Sequence, residues 1–409
     1  MASGAVCLRS SGGVAMVIAS AALSVLPASA QSQPWELFVN QEVRYFSWSG
    51  TRGYPAAGIA TTARGSGWQL YAPVTVQLAG IPVENLKFEL IGRGGYVESK
   101  QTTPGASGSV STTTDTVAAA TWTYFGIPGI QPFLSLSANL PSGKSVLLGA
   151  ATFARMDPDL VDIASFGEGW NIGPTLGINF AVAENAIFSV GAGYTWRGKY
   201  DREFLPPVPP TATAELDPAD VVTINASLGF RQGALSGQIA GSYSHEGKTS
   251  LTGMPFFQLG DRYFVSGVAS YAWSEASVSS LVASWNYSQK NKVLIPPLTL
   301  EGFNSNSNLY RVRLEHAFVF GSWSLGPVGS WLFRDENSYS PTAFQFVPAK
   351  TRWSAGGNLR YSVNKNALLY ASVEHVWIDE NERIPAIGTP VPDSSYTGWV
   401  AVGGGTFRF

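Results

Sequence analysis

The sequence predicts an all-β protein, a transmembrane antiparallel up-and-down β-barrel of about sixteen strands, with about fourteen or eighteen as alternatives. Three observations predict this fold. Many segments alternate apolar and polar residues with the period of two that a strand requires. Short turns alternate with long connections along the chain. Charged residues make up only 13% of the chain and aromatic residues 12%, a balance that suits a barrel with lipid on its outer side.

Residues 1–30 predict a signal peptide rather than part of the fold. Arg9 gives a weakly basic start, an apolar run follows, and small residues form a cleavage site that ends at Ala30. Cleavage there leaves 31–409 as a single barrel domain and removes Cys7, the only cysteine. We therefore expect a bacterial outer-membrane protein without disulfides.

Sixteen candidate strands follow the signal peptide, with boundaries that are soft by a few residues. Short turns such as 183–185 and 364–366 alternate with long segments such as 199–219 and 379–394. This asymmetry is typical of short periplasmic turns and long extracellular loops. The link 102–109 is the weakest, because 96–116 could be strand or loop. The candidates are 35–48, 66–80, 84–98, 110–125, 130–140, 173–183, 186–198, 220–231, 233–246, 261–273, 277–290, 308–320, 322–334, 350–363, 365–378 and 395–409.

The two faces of each strand indicate which side meets lipid. In 308–320, Tyr310 and Leu314 share one face and Arg311 and Arg313 share the other. A slip by one residue would place both arginines in lipid, at a cost of roughly 2–4 kcal/mol each near the midplane. The apolar face is therefore expected to point outward and the polar face into the lumen.

The last strand, 395–409, predicts how the barrel closes. Trp399 and Phe407 lie on its apolar face, and Phe409 ends the chain with an aromatic residue. We expect this strand to pair with the first one, because an unpaired sheet edge cannot stand in lipid. The barrel-assembly machinery is the expected partner of this strand.

A stretch in the middle of the chain resembles a known family. Leu140-Pro141-Ser142-Gly143-Lys144 precedes the run Phe166-Gly167-Glu168-Gly169-Trp170-Asn171-Ile172-Gly173-Pro174-Thr175-Leu176-Gly177. This resembles outer-membrane proteins grouped with the meta-pathway of phenol degradation, in which an LPxGK element precedes a GxGxxxxxPxLG strand. The resemblance covers mainly residues 126–200. It implies an outer-membrane channel for small aromatic or other apolar solutes.

The sequence leaves three functions open. The first is a channel for passive diffusion of small solutes, the second a selective transporter of aromatic or other apolar molecules, and the third a barrel-embedded hydrolase. The three histidines do not form a catalytic pattern, because His316 and His375 lie on the lipid-facing parity and His245 at a strand end. We expect no catalytic, cofactor or metal residues. The net charge of −2 gives no reason to expect nucleic acid. Lipid, lipopolysaccharide and solutes are the expected partners, and a homo-oligomer stays open.

The connection 141–172 is predicted to fold into the lumen and to narrow it, because its apolar residues would otherwise lie in water. Its charged residues could create a transverse field against a basic wall. The same charges could instead be salt bridges that fasten the loop, and both interpretations could hold. The loop residues are Lys144, Arg155, Asp157, Asp159, Asp162 and Glu168; the wall residues are Arg44, Arg93, Arg262, Arg311, Arg313, Arg334 and Arg352.

Overall fold

The computed structural model describes residues 35–51, 64–204, 209–294, 306–343, 346–383 and 392–409. Residues 1–34, which include the predicted signal peptide, and parts of five long connections lie outside these residues. The strands are β1 (Glu36–Gly50), β2 (Gly65–Val83), β3 (Leu86–Thr103), β4 (Ala106–Thr113), β5 (Thr116–Tyr124), β6 (Ile130–Leu140), β7 (Asn171–Ala183), β8 (Ala186–Arg197), β9 (Tyr200–Glu203), β10 (Thr213–Asp217), β11 (Val221–Gln232), β12 (Leu235–Glu246), β13 (Lys248–Leu251), β14 (Met254–Gln258), β15 (Arg262–Ser274), β16 (Ser277–Ser288), β17 (Lys292–Val293), β18 (Ser307–Phe320), β19 (Trp323–Arg334), β20 (Lys350–Asn364), β21 (Ala367–Glu380) and β22 (Ser394–Arg408).

The large sheet closes on itself as an antiparallel barrel of sixteen wall strands. Each wall strand pairs with its neighbours in sequence, and β1 also pairs with β22. β4 and β5 pair with successive halves of β3 and together form one wall strand, broken at 114–115. The prediction of an up-and-down barrel of about sixteen strands is confirmed. The wall strands are β1, β2, β3, β4 with β5, β6, β7, β8, β11, β12, β15, β16, β18, β19, β20, β21 and β22.

The connections are unequal at the two ends of the barrel. At the short-turn end, six of the seven turns between wall strands have two residues, and the seventh is 125–129. At the long-loop end lie the longer connections, including 141–170 and 335–349. The uncertain link 102–109 is a hairpin, in which the end of β3 pairs with β4 on one side and with β2 on the other. Gly105 takes φ +82° in its turn, a conformation that a glycine adopts without strain.

The outer surface of the barrel is apolar, as the strand periodicity predicted. Leu314, Trp353 and Phe320 are 56%, 54% and 60% exposed, whereas the arginines of the same strands face the lumen. Such a surface has a favourable environment only in a lipid bilayer. In the part of the chain that the structure describes, no helix is long and apolar enough to cross a membrane.

Two further elements lie at the long-loop end. β9, β10, β13, β14 and β17 form a second antiparallel sheet, in the order β17-β14-β13-β10-β9, from three connections that follow one another around the rim. We call it the outer sheet. A short 3₁₀ helix, Gly149–Ala154, forms part of the connection between β6 and β7. We call that connection the inner loop (141–170); the outer sheet contacts it through Glu203 of β9.

Candidate functional site

The inner loop lies within the long-loop half of the barrel. Met156, Leu160 and Val161 pack against inward-facing side chains from strands on either side of the barrel seam. All members of this cluster are at most 6% exposed. Since those partners point into the lumen, the loop must cross the lumen to reach them. The wall members of the cluster are Phe46, Trp48, Val376, Ile378 and Tyr396.

A second apolar cluster holds the loop against β2, β3 and β4. Leu147, Ala154 and Phe166 of the loop are buried there. Backbone carbonyls of the loop also accept hydrogen bonds from the same wall. Their donors are Ser99 Oγ to Ala154 O at 2.7 Å, Gln69 Nε2 to Ile163 O at 2.8 Å and Gln101 Nε2 to Phe153 O at 3.2 Å.

Two loop carboxylates form buried ion pairs with the wall. Asp159 Oδ2 lies 2.7 Å from Arg334 Nη1, and neither side chain is exposed. Asp157 pairs with Lys350 Nζ, and both side chains are buried to within 1%. A charge that is removed from water needs a partner of opposite sign at close range. These pairs therefore fasten the loop to β19 and β20.

A third loop carboxylate and three wall arginines are only partly covered. Asp162 Oδ2 lies 3.0 Å from Arg44 Nη1, with side chains 34% and 24% exposed. Arg311 lies 3.6 Å from Asp159 and remains 25% exposed. Arg352 Nη1 donates to the carbonyls of residues 159 and 160, at 3.3 and 3.1 Å. This group marks the border between the loop and the lumen.

These contacts bear on the two interpretations of the loop charges, which both stay predictions. Asp157 and Asp159 touch their cations directly and face no water, so a field across an open gap does not fit these two residues. The fastening interpretation fits them, because ion pairs at such distances leave no aqueous space between loop and wall. Of the three loop aspartates, Asp162 is the most exposed, with 34% of its side chain accessible.

The other predicted loop residues lie away from the arginine wall. Arg155 pairs with Glu203 of β9 at 3.1 Å, and burial lowers its pKa. Burial also raises the pKa of the Glu168 carboxyl, against the opposing charges of Arg197 and Arg202. Lys144 is exposed near the start of the loop.

The predicted wall residues occupy three levels of the lumen. Arg262 lies at the long-loop rim, 3.0 Å from Glu246. Arg93 donates to Tyr71 Oη at 3.3 Å, beside the second apolar cluster. Arg313 lies 2.6 Å from Glu374, which also accepts a 2.5 Å hydrogen bond from Ser354.

Sequence reasoning missed several residues that position the loop. Asp115, at the break between β4 and β5, accepts from the backbone N–H groups of Gly143 at 2.9 Å and Glu168 at 2.8 Å. It thereby joins the two ends of the loop. Lys350 and Glu203, the ion-pair partners of Asp157 and Arg155, were also missed. The interruption of a strand by Thr114-Asp115 was the one local signal available.

The three histidines lie apart from one another, two on the lipid side of the barrel and one at the rim. His316 contacts Ser277 and Ser279 on the lipid side, at 3.2 and 2.8 Å. His375 lies between two tryptophan rings, and His245 Nδ1 lies 2.7 Å from Asp261 at the rim. Across the described residues, no three His, Cys, Asp or Glu side chains are grouped so that they could hold a metal ion.

Comparison with known proteins gives outer-membrane channels as structural neighbours. No sequence-family profile and no curated protein matches the chain. An outer membrane channel from Pseudomonas putida F1 is 11% identical, with a TM-score of 0.40 over 65% of this chain and 92% of that one. A bacterial polysaccharide outer membrane secretin is 12% identical, with a TM-score of 0.41 over 90% and 98%. A mutant porin of Rh. blastica is 12% identical, with a TM-score of 0.32 over 91% and 100%.

At these TM-scores the likeness carries no argument about function, and the barrel is defined by the strand pairing of the chain itself. The resemblance to the phenol-degradation family gains no support from a family match and stays a prediction.

Proposed function

We propose that this protein is a passive outer-membrane channel for small solutes and that its inner loop forms the constriction. The observation that carries the proposal is the position of that loop against the inner wall of a sixteen-strand barrel. A barrel of this size leaves an aqueous opening that side chains alone cannot fill. A loop that crosses this opening and is fastened to the opposite wall reduces the open cross-section of the lumen without closing it completely.

The lumen below the loop supports passage of hydrophilic rather than apolar solutes. Arg313, Glu315 and Arg360 form a chain of ion pairs, with Arg360 Nη2 2.9 Å from Glu315. Arg360 is 44% exposed and lies on the same inward face of β20 as Arg352 and Ser354. An apolar solute would have to displace water from these charges, which is unfavourable. The transporter of aromatic solutes is therefore the weaker candidate.

A hydrolase is also the weaker candidate, because a general base needs a nucleophile within hydrogen-bond reach. A carboxylate lies beside His245, and two hydroxyl groups lie beside His316. The carboxylate and the hydroxyl groups therefore neighbour different histidines and do not form one catalytic group. Outer-membrane lipid and lipopolysaccharide are the proposed surroundings of the apolar surface. Association into a homo-oligomer remains compatible with the channel.

Single-channel recording of purified protein in planar bilayers tests the proposal. The wild-type protein should conduct steadily, and a variant that lacks residues 146–165 should conduct more. This segment includes the loop members of the first apolar cluster, two of the three loop members of the second, and the fastening carboxylates. A deletion of Thr252-Gly253, in the outer-sheet hairpin, serves as the control and should leave conductance unchanged. A folded barrel without conductance would refute the channel. Equal conductance of the wild type and the 146–165 deletion would refute the constriction.

A further inference from the structure

The inner surface of the barrel is divided into a charged half and an uncharged half. The uncharged half consists of eight adjacent wall strands, β5, β6, β7, β8, β11, β12, β15 and β16. Between the two rims, their inward-facing side chains include no Asp, Glu, Lys or Arg among the residues that the structure describes. The charges of this half stand at its rims, with Arg197, Glu246 and Arg262 at one end and Arg231 at the other.

Neutral groups that form hydrogen bonds line much of the uncharged half. Strand register places serine, threonine and asparagine side chains on the same inward face from strand to strand. These side chains are partly exposed. Representative members are Thr175, Thr223, Asn225, Ser242, Ser284 and Asn286.

The other half carries the charges and also supports the inner loop. Ion pairs and hydrogen bonds join the loop to β1, β2, β3, β18, β19 and β20. The inward side chains there are buried at loop level, as Phe46 and Ile378 show with exposures of 6% and 1%. The loop therefore fills the lumen on the charged half, whereas most inward side chains of the uncharged half stay partly exposed, apart from a few such as Ala240 and Ser266.

We propose that solutes pass the loop along the uncharged half of the lumen, and that the channel therefore admits small uncharged hydrophilic solutes with little selection for ionic charge. This inference rests on the proposed channel function. Hydroxyl and amide groups can replace the hydration of a hydroxylated solute as it passes. They create no net field, and the buried ion pairs that fasten the loop are already neutralised, so an ion of either sign meets a similar barrier.

The reversal potential in a salt gradient tests the inference. The wild-type channel should give a value near zero, which corresponds to nearly equal permeability for a small cation and a small anion. Ser242→Asp should at least double the permeability ratio in favour of cations, and Ser242→Lys should shift it in the opposite direction. Arg360→Gln changes the lumen by one charge in the same direction as Ser242→Asp, but on the charged half. The change in the permeability ratio caused by Arg360→Gln should be clearly smaller than the change caused by Ser242→Asp.

Modification of cysteines locates the passage independently of charge. In Ser242→Cys, an impermeant charged thiol reagent should reduce the current, because the side chain borders the proposed passage. Gly241→Cys is the matched control, since its side chain points to lipid and a Cβ there meets no atom closer than 3.7 Å. This variant should keep its current. Swelling of liposomes should show similar entry rates for an uncharged pentose and for a carboxylate of the same size.

The outcomes separate the inference from the function on which it rests. Absence of conductance in a folded barrel would refute the channel itself. A conducting channel with a strong charge preference that Arg360→Gln removes would refute only the uncharged passage. A channel in which Ser242→Cys and Gly241→Cys respond alike to the thiol reagent would also refute only the uncharged passage.

Discussion

At the scale of single residues, the pair Asp157–Lys350 shows how the loop depends on buried charge. Neither side chain is more than 1% exposed, so each charge relies on the other. Removal of one partner from a buried ion pair costs about 3–5 kcal/mol, whereas replacement of both by apolar residues is often neutral. Lys350→Met should therefore loosen the inner loop and raise both the mean current and the current noise of single channels.

The double variant Asp157→Leu/Lys350→Met serves as the control for this prediction. It removes both charges and should restore quieter currents and most of the lost thermal stability, measured as the temperature at which the folded band disappears on gels. If the double variant loses as much stability as the sum of the two single variants, the pair does not act as a unit.

The shifted pKa of Glu168, near the end of the inner loop, predicts that the stability of the protein depends on pH. Burial raises the pKa of its carboxyl above the value in the unfolded chain. Its contribution to stability is therefore complete below the unfolded pKa and is lost as the pH rises through the higher folded pKa. Glu168→Gln should stabilise the protein relative to wild type at neutral pH and change little at acidic pH. Thermal unfolding of both proteins across this range measures the difference, and a constant difference would contradict the prediction.

The loop carboxylates could be predicted from the sequence, but their partners could not. Asp157 and Asp159 stand in a long connection with apolar neighbours, which indicates a buried loop. Lys350 lies 193 residues from Asp157, and its meeting with the loop depends on how far the loop extends across the lumen. No local sequence pattern indicates how far the loop extends, so the pairing of Asp157 with Lys350 could not be predicted. Arg334, by contrast, was predicted on the wall because strand periodicity alone assigns it to the lumen.

At the scale of elements, the wall strands followed closely from the sequence. Strands β6 and β18 lie within one residue of their predicted limits, since a period of two and the cost of arginine in lipid together define the register. The outer sheet was missed. Its strands are short, and β10 pairs with β13 across more than thirty residues, so no hairpin signal marks that pairing.

The unequal connections predict which end faces the cell exterior. Cysteines introduced at Thr213 in β10 and at Asn381 after β21 should react with an impermeant maleimide on intact cells, because both residues are exposed at the long-loop end. A cysteine at Asn366, in a turn at the opposite end, should react only after the outer membrane is opened. Labelling of Asn366 alone on intact cells would reverse the orientation.

At the scale of the whole molecule, closure depends on the pairing of the first and last wall strands. β1 and β22 are in register from Phe38 and Arg408 to Gly50 and Tyr396. Beyond the last paired residue, Leu37 and Phe409 exchange two backbone hydrogen bonds of 3.2 and 2.8 Å. The sequence predicted this closure, because a free strand edge in lipid would leave backbone groups without partners.

Phe409 separates the roles of closure and assembly. Its side chain is 72% exposed, so it buries little apolar surface against the barrel, and its backbone bonds do not depend on side-chain identity. Phe409→Ala should therefore leave the thermal stability of barrels refolded in detergent nearly unchanged. In cells, the same variant should yield less heat-modifiable barrel in the outer membrane and more turnover in the periplasm, if the assembly machinery recognises the terminal aromatic ring.

Phe409→Tyr keeps the ring and should assemble normally. Equal amounts of assembled Phe409→Ala and wild-type protein would show that the ring is only part of the apolar outer surface. A loss of stability in detergent as large as the loss in cells would instead assign the residue to closure.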